Sequence, residues 1–154
     1  MSKIPYNSND YNDHVYNDET IINIEVIAYV QQADKKMKDK NVSSLLIVDE
    51  NGRPQGIVSE RDLVTKVCVN DISARAVTNK EIMSSPLITI KSRSSPSEAA
   101  DMMLQHNVRH LLVVDNDNVN KPIGIITPLD FTRHQEFVAN EDREAIEKML
   151  EYYI

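Results

Sequence analysis

Two stretches of the chain repeat one alternation of apolar runs and polar breaks. In each stretch a short β-branched run, ETIINI or SPLITI, precedes a segment whose apolar residues recur at helical spacing. These residues are Val30, Ala33 and Met37 in the first stretch and Ala99, Met102 and Met103 in the second. Continuous apolar runs broken by Asp, Asn, Gly and Pro follow, and they predict a strand, a tight turn and another strand. Helices are expected directly after Ser59 and Thr127, so each stretch has the predicted order β-α-β-β-α.

The two stretches align residue by residue, which identifies them as an internal repeat. Met37 corresponds to Met103, and the offset of 66 residues holds from the first strand to the second. Beyond the turn the offset becomes 68, as between Gly56 and Gly124, so the second turn is two residues longer. The predicted fold class is therefore α/β (α+β), with two β-α-β-β-α repeats whose sheets pack against helices.

The first helices of the two repeats differ in how clearly their starts are marked. The second repeat has Ser95, Pro96 and Glu98 at the N-cap, N1 and N3 positions, which is a strong helix-start signal. The corresponding helix of the first repeat begins near Tyr29 without such a signal. The sequence therefore defines the second helix start better than the first.

The last fifteen or so residues predict an amphipathic helix. Its apolar face carries Ala145, Ile146, Met149, Leu150, Tyr153 and Ile154. Two interpretations fit this face: it packs on its own domain, or it contacts a second copy of the chain.

Composition and charge narrow the class of protein. Of 154 residues, 41% are hydrophobic and 27% charged, and the net charge of −7 argues against sequence-independent binding of nucleic acid. No apolar run approaches the roughly 20 residues of a membrane span, and the single cysteine, Cys68, suits a reducing compartment, so we expect a cytoplasmic protein. The predicted segments are a polar N-terminal arm over 1–20, repeat 1 over 21–76, repeat 2 over 77–138 and the C-terminal helix over 139–154.

The repeated motifs resemble a known family. The motifs that carry the resemblance are GIVSERD at 56–62, GIITPLD at 124–130 and KEIMSSP at 80–86. From about residue 21 to 138 the chain resembles a tandem pair of cystathionine β-synthase (CBS) domains, the Bateman module. The resemblance implies two repeats around a pseudo-two-fold axis, clefts that hold adenine nucleotides or related adenosyl ligands, and dimerisation through the helices. The first repeat departs from the family pattern over 13–19, where polar residues replace the Ile-Met lead-in.

A hydroxyl and a carboxylate recur where each hairpin enters a helix. Ser59 and Thr127 are placed as N-caps, with Asp62 and Asp130 at N3, and capping alone would explain both pairs. Both repeats nevertheless carry Asp rather than Glu or Gln, which reach back more easily to the N-cap amide. The alternative is that each Asp accepts hydrogen bonds from a ribose diol, and the resemblance implies this role, with Ser or Thr facing phosphate.

Phosphate requires local positive charge in an acidic chain. The second repeat supplies the clustered cationic or protonatable groups Arg109, His110, Arg133 and His134. The first repeat has Ser43 and Ser44 where the second has Arg109 and His110, and this asymmetry predicts one dominant site. In a second interpretation Arg109 is a rim residue paired with a surface carboxylate.

The resemblance implies two nucleotide sites, each drawing on both repeats. The dominant site would use Ile22, Val42, Ser43, Arg109, His110, Thr127 and Asp130. The opposite site would use Ser59, Asp62, Met83, Ile88 and Val108. Because no aromatic residue is available there, aliphatic side chains and backbone groups would contact the adenine.

The leading hypothesis is a stand-alone regulatory CBS pair that binds an adenine nucleotide and signals to a partner protein. AMP is the first candidate, with ADP and ATP as competitors, and a homodimer and an unknown effector protein are the expected partners. The alternatives are a ligand-free oligomerisation module or a binder of S-adenosylmethionine or NAD; RNA binding is disfavoured by the charge. No catalytic motif, metal-ligand spacing or phosphate loop is present, so we expect neither an enzyme nor a required cofactor.

Overall fold

The computed structural model describes residues 21–132 and 140–153. Among these, the chain divides into two compact units: the first unit comprises residues 21–87, and the second begins at residue 88. The predicted N-terminal arm, its polar lead-in over 13–19, and the residues Arg133, His134 and Ile154 lie outside the described residues.

The first unit is a three-stranded sheet with helices in the predicted order β-α-β-β-α, followed by a short helix over 79–82 that the sequence pattern does not predict. Its elements are β1 (Asn23–Glu25), α1 (Val30–Lys40), β2 (Ser44–Val48), β3 (Pro54–Ser59), α2 (Glu60–Asp62), the π-helical turn π1 (Leu63–Cys68) and α3 (Asn79–Ile82). The central strand β2 pairs parallel with β1 and antiparallel with β3.

The second unit repeats this arrangement. Its elements are β4 (Thr89–Lys91), α4 (Pro96–His106), β5 (Leu111–Val114), β6 (Pro122–Ile126), α5 (Pro128–Thr132) and α6 (Asn140–Tyr153). Strand β5 pairs parallel with β4 and antiparallel with β6. The helices α2 and α5 begin directly after Ser59 and Thr127, as predicted.

Helices α1 and α4 end in the same way, and this places the residues that follow them. Asn41 and Asn107 adopt the left-handed conformation, with φ of 53° and 52°. Val42 N donates to the Met37 carbonyl and Val108 N to the Met103 carbonyl, both at 3.0 Å. Asparagine tolerates this backbone region better than most residues, so each helix stops at a defined point before the next strand.

The central strands are buried on both faces, as their continuous apolar runs predict. Along β2, Leu45, Leu46 and Ile47 are at most 2% exposed although successive side chains point to opposite faces. Leu45 and Ile47 pack with Val30 and Ala33 of α1 in the core of the first unit. Ala99, Leu111 and Val113, which correspond to Ala33, Leu45 and Ile47, lie in the core of the second unit.

The segment 77–87 packs in the first unit. Val77 and Ile82 belong to the core of that unit and are 7% and 4% exposed. Ser84 forms two backbone hydrogen bonds with Ile57 of β3, Ile57 N to Ser84 O at 3.1 Å and Ser84 N to Ile57 O at 2.9 Å. Apolar burial joins the lead-in of repeat 2 to the first unit, so the compact units divide at 87/88. The repeat boundary predicted at 76/77 marks where the second copy of the sequence pattern begins.

The same segment explains the glycine in β3. A Cβ atom on Gly56 would lie 2.8 Å from both Met83 Sδ and the Ser84 carbonyl oxygen. Only a residue without a side chain allows the backbone of 83–84 to approach the strand this closely.

The C-terminal helix α6 packs on its own unit. Ile146 and Met149 are 2% and 0% exposed and lie in the core of the second unit with Ala100 and Met103 of α4. This confirms the first of the two interpretations of its apolar face.

Candidate functional site

The sequence-predicted polar residues of the first unit meet where β3 enters α2. Ser44 pairs with Ser59 across the β2–β3 ladder, and the Glu60 amide donates to the Ser43 carbonyl at 3.0 Å. The start of β2 and the start of α2 are therefore held together, and we call this place the first junction.

Asp62 is fully engaged at the first junction. Its Oδ2 accepts from the Ser59 amide at 2.9 Å and from the Ser59 hydroxyl at 3.0 Å. Its Oδ1 forms an ion pair with Lys66 Nζ at 2.8 Å, and the same ammonium group donates to the Ile82 carbonyl at 2.7 Å. Asp62 is 7% exposed. From this buried position its carboxylate links the start of α2 to Lys66, and through Lys66 to the Ile82 carbonyl.

The second unit has an equivalent junction where β6 enters α5, which we call the second junction. Asp130 Oδ2 accepts from the Thr127 amide at 2.7 Å and from the Thr127 hydroxyl at 3.3 Å. Because Leu111 pairs with Ile126, the antiparallel register places His110 opposite Thr127. Arg109 precedes His110, so four of the second-repeat candidates, Arg109, His110, Thr127 and Asp130, come to one end of the sheet.

Both aspartates cap helices, and this corrects one step of the sequence reasoning. From its length, the Asp side chain is predicted to reach the N-cap amide less well than Glu or Gln, but both carboxylates reach it within 2.9 Å. The choice of Asp therefore does not by itself favour ribose binding over capping. The role of Asp62 and Asp130 in ribose binding stays a prediction.

Arg109 has an aromatic partner that the sequence did not reveal. Its guanidinium carbon lies 5.2 Å from the centroid of the Tyr153 ring, on α6. The Tyr153 hydroxyl donates to the Met103 carbonyl at 2.8 Å, and its ring meets Tyr152 edge to face at 4.8 Å. Burial, and to a lesser degree Tyr152, raise the pKa of Tyr153, while Arg109 opposes the rise. No local spacing signals this pair, because the two residues are far apart in the sequence.

The predicted aliphatic contacts for adenine lie at the edges of the two cores. Ile22, Val42 and Met83 are partly buried against the core of the first unit. Ile88 and Val108 are placed in the same way in the second unit. Some of their backbone groups serve the fold: the carbonyls of Ile22 and Ile88 accept from the amides of Leu46 and Leu112, both at 3.0 Å. Both predicted nucleotide sites combine residues of the two units, and that combination stays a prediction.

The family assignment follows from comparison with known proteins. The CBS domain family matches residues 20–68 and 80–136, more than half of the chain. The chain belongs to the CBS domain family. It is a CBS pair of a regulatory kind, and the match confirms the tandem pair predicted from the repeats.

Two curated relatives of this CBS pair are longer proteins. The uncharacterized protein MK0525 of Methanopyrus kandleri is 34% identical over 116 residues, which is 75% of this chain and 58% of that protein. An inosine-5'-monophosphate dehydrogenase of Nitrosopumilus maritimus is 31% identical over 116 residues, 75% of this chain and 22% of the enzyme. The chain thus spans less than two thirds of the length of these relatives.

Solved structures show the same fold. A protein with CBS domains from Burkholderia ambifaria has a TM-score of 0.68 and 31% identity, covering 77% of this chain and 84% of that one. The hexameric CBS-CP12 protein from bloom-forming cyanobacteria has a TM-score of 0.69 and 26% identity, covering 77% and 68%. These likenesses confirm the mixed α+β fold class.

Residues 21–132 and 140–153 contain neither a candidate metal site nor a membrane-spanning helix. No group of three or more His, Cys, Asp or Glu side chains there is placed to hold a metal ion. No helix in this part of the chain is long and apolar enough to cross a membrane.

Proposed function

We propose that this CBS pair binds an adenine nucleotide, with AMP as the first candidate and ADP and ATP as competitors, and transmits occupancy to a partner protein. The observation that carries the proposal is the second junction. It brings the exposed guanidinium of Arg109 and the imidazole of His110 to the sheet end that holds Thr127 and Asp130. A cation, a hydroxyl and a carboxylate at one place match the phosphate and ribose of a nucleotide.

The asymmetry between the junctions supports one dominant site. The first junction has Ser43 and Ser44 where the second has Arg109 and His110. Its nearby ammonium group, on Lys66, is held by Asp62 and by the Ile82 carbonyl. A phosphate group would therefore gain more at the second junction than at the first.

The first junction also favours a second candidate function, a CBS pair that acts without a ligand. Both carboxylate oxygens of Asp62 are used within the first unit. These structural contacts alone therefore explain why the first unit has Asp at position 62. Under this alternative the chain is an oligomerisation or docking piece, and S-adenosylmethionine and NAD remain the other ligands to test.

For the partner, we propose a second copy of the chain together with an unidentified effector. Three large apolar side chains after β3 are exposed in the first unit: Val64 at 56%, Val69 at 72% and Ile72 at 43%. Burial against a second copy would remove this apolar surface from water. Light scattering of the wild type and of Val64→Asp tests the dimer: dimer in the first and monomer in the second is expected, and a monomeric wild type contradicts it.

The nucleotide proposal is tested by thermal unfolding with AMP, ADP, ATP, NAD and S-adenosylmethionine in turn. A ligand present at 100 times its Kd adds about 2.7 kcal/mol to the free energy of unfolding. With a chain of this size that corresponds to a rise in Tm of roughly 5–10 °C. No rise with any of the five would overturn the proposal and leave the ligand-free alternative.

Matched variants locate the site. Arg109→Gln should abolish most of the shift, because the phosphate loses its guanidinium partner. Lys121→Gln removes a cation from the β5–β6 turn, at the other end of the same sheet, and should leave the shift unchanged. Asp130→Ala should lose the shift while Asp62→Ala retains it. Equal loss in both Asp variants would contradict the single dominant site.

A further inference from the structure

Helix α6 reaches Arg109 only because the second repeat offers it an apolar surface. Ala100 and Leu104 of α4 pack with α6 in the core of the second unit. The equivalent positions of α1 are Asp34 and Lys38, which are exposed. A polar surface cannot bury an apolar helix face, so α6 belongs to the repeat that also carries the cationic pair.

Two hydrogen bonds fix the end of α6, in addition to its contacts with the core. Tyr153 is held by its hydrogen bond to the Met103 carbonyl at 2.8 Å, and Tyr152 donates to Asn107 Oδ1 at 3.2 Å. These two bonds fix the end of α6 near the turn that precedes β5, and Arg109 lies in that turn. The face of the Tyr153 ring meets the guanidinium of Arg109 at 5.2 Å.

We propose that Tyr153 is a positioning residue for anion binding: it holds the Arg109 side chain so that the guanidinium is ready to receive a phosphate group. This inference rests on the proposed function and adds the C-terminal helix to its site. A guanidinium that lies over an aromatic ring uses its face for the contact, while its N–H donors point outward in its own plane. Those donors are the ones that bind phosphate oxygens in pairs.

The expected gain in anion affinity comes from restricting the Arg109 side chain before the anion binds. A free arginine loses much rotamer freedom when it binds an anion, and an arginine already held by Tyr153 loses less. We expect Tyr153→Leu to weaken anion binding about fivefold, which corresponds to about 1 kcal/mol. Tyr153→Phe loses the hydrogen bond to the Met103 carbonyl but keeps the ring, which still packs against the core of the second unit, and should bind within about twofold of the wild type.

The experiment is a calorimetric titration of wild type, Tyr153→Phe, Tyr153→Leu and the control Tyr29→Leu, which removes an exposed tyrosine of the first unit. Each is titrated with inorganic pyrophosphate and, separately, with AMP. Backbone hydrogen exchange of α6 is followed in the same samples. Coupling is reciprocal: if Tyr153 strengthens anion binding, then a bound anion must stabilise the end of α6 and slow its hydrogen exchange. If Tyr153 has only a structural role, Tyr153→Leu should lower Tm but leave the Kd of the anion unchanged.

The outcomes separate the inference from the proposed function. A selective loss in Tyr153→Leu with either probe, rescued by Phe and absent in Tyr29→Leu, supports the inference. If pyrophosphate shows this pattern and AMP does not bind, the nucleotide proposal fails and the positioning role stands. AMP binding with equal Kd in Tyr153→Leu and wild type overturns the inference alone. No binding of either probe to any variant overturns both.

Discussion

Substitution of Gly56 by alanine tests how the segment 83–84 is packed on the first unit. The new Cβ would stand 2.8 Å from the Ser84 carbonyl oxygen and 2.8 Å from Met83 Sδ, where ordinary contacts begin near 3.4 Å. Met83 can rotate, but the Ser84 oxygen is backbone and accepts from the Ile57 amide at 3.1 Å. The backbone of the segment must therefore move by about 0.6 Å, which weakens its two hydrogen bonds to β3.

The size of the effect follows from these contacts. Overpacking of a buried site costs about 1–3 kcal/mol, and weakening the hydrogen bonds adds about 1 kcal/mol. Loss of glycine flexibility in the unfolded chain returns about 0.4–1 kcal/mol. We expect Gly56→Ala to lower the free energy of unfolding by about 2–3 kcal/mol, or Tm by roughly 5–10 °C.

Urea unfolding followed by circular dichroism measures the change, with an unchanged m-value as the sign that only stability is affected. The control is Gly52→Ala, where the new Cβ meets nothing within 4 Å and only the positive φ of 75° opposes alanine. That variant should lose about 1 kcal/mol. In a double-mutant cycle, Met83→Ala should cost less in the Gly56→Ala background than in the wild type, because it removes the clash with Sδ but leaves the one with the Ser84 carbonyl. A Gly56→Ala protein within 0.5 kcal/mol of wild type, a margin typical of neutral surface changes, would refute the packing.

Three more predictions concern single side chains. Asp62→Ala leaves the buried amide and hydroxyl of Ser59 without their acceptor, so the free energy of unfolding should fall by about 2 kcal/mol in urea; an unchanged midpoint would rule out a stabilising cap. Ser95→Ala removes the N-cap acceptor for the Glu98 amide and should lower it by about 1 kcal/mol, as measured in the same way. Because the pKa of Tyr153 is raised, its contribution to stability is present below the unfolded pKa of about 10 and is lost as pH rises through the higher folded pKa. Unfolding measured from pH 8 to 11 should show this loss in the wild type and a smaller one in Tyr153→Phe, whereas equal profiles would contradict it.

The sequence alone determined the repeat, the order β-α-β-β-α within it and the helix starts after Ser59, Ser95 and Thr127. These features depend on residues three or four positions apart, such as Ser59 with Asp62 or Ser95 with Glu98, and on the spacing of apolar positions. Local spacing is sufficient in such cases because both partners lie on the same short piece of backbone. The capping hydrogen bonds of Asp130 could be predicted for the same reason.

Only the tertiary structure decided which distant segments meet. The path of the chain brings 83–84 onto Gly56, and it brings Tyr153 of α6 under Arg109. Lys66 is a mixed case: its pairing with Asp62 follows from helical spacing, but its bond to the Ile82 carbonyl does not. Contacts between residues tens of positions apart depend on how apolar faces pack. The sequence shows that such faces exist, but it does not show which surface covers them.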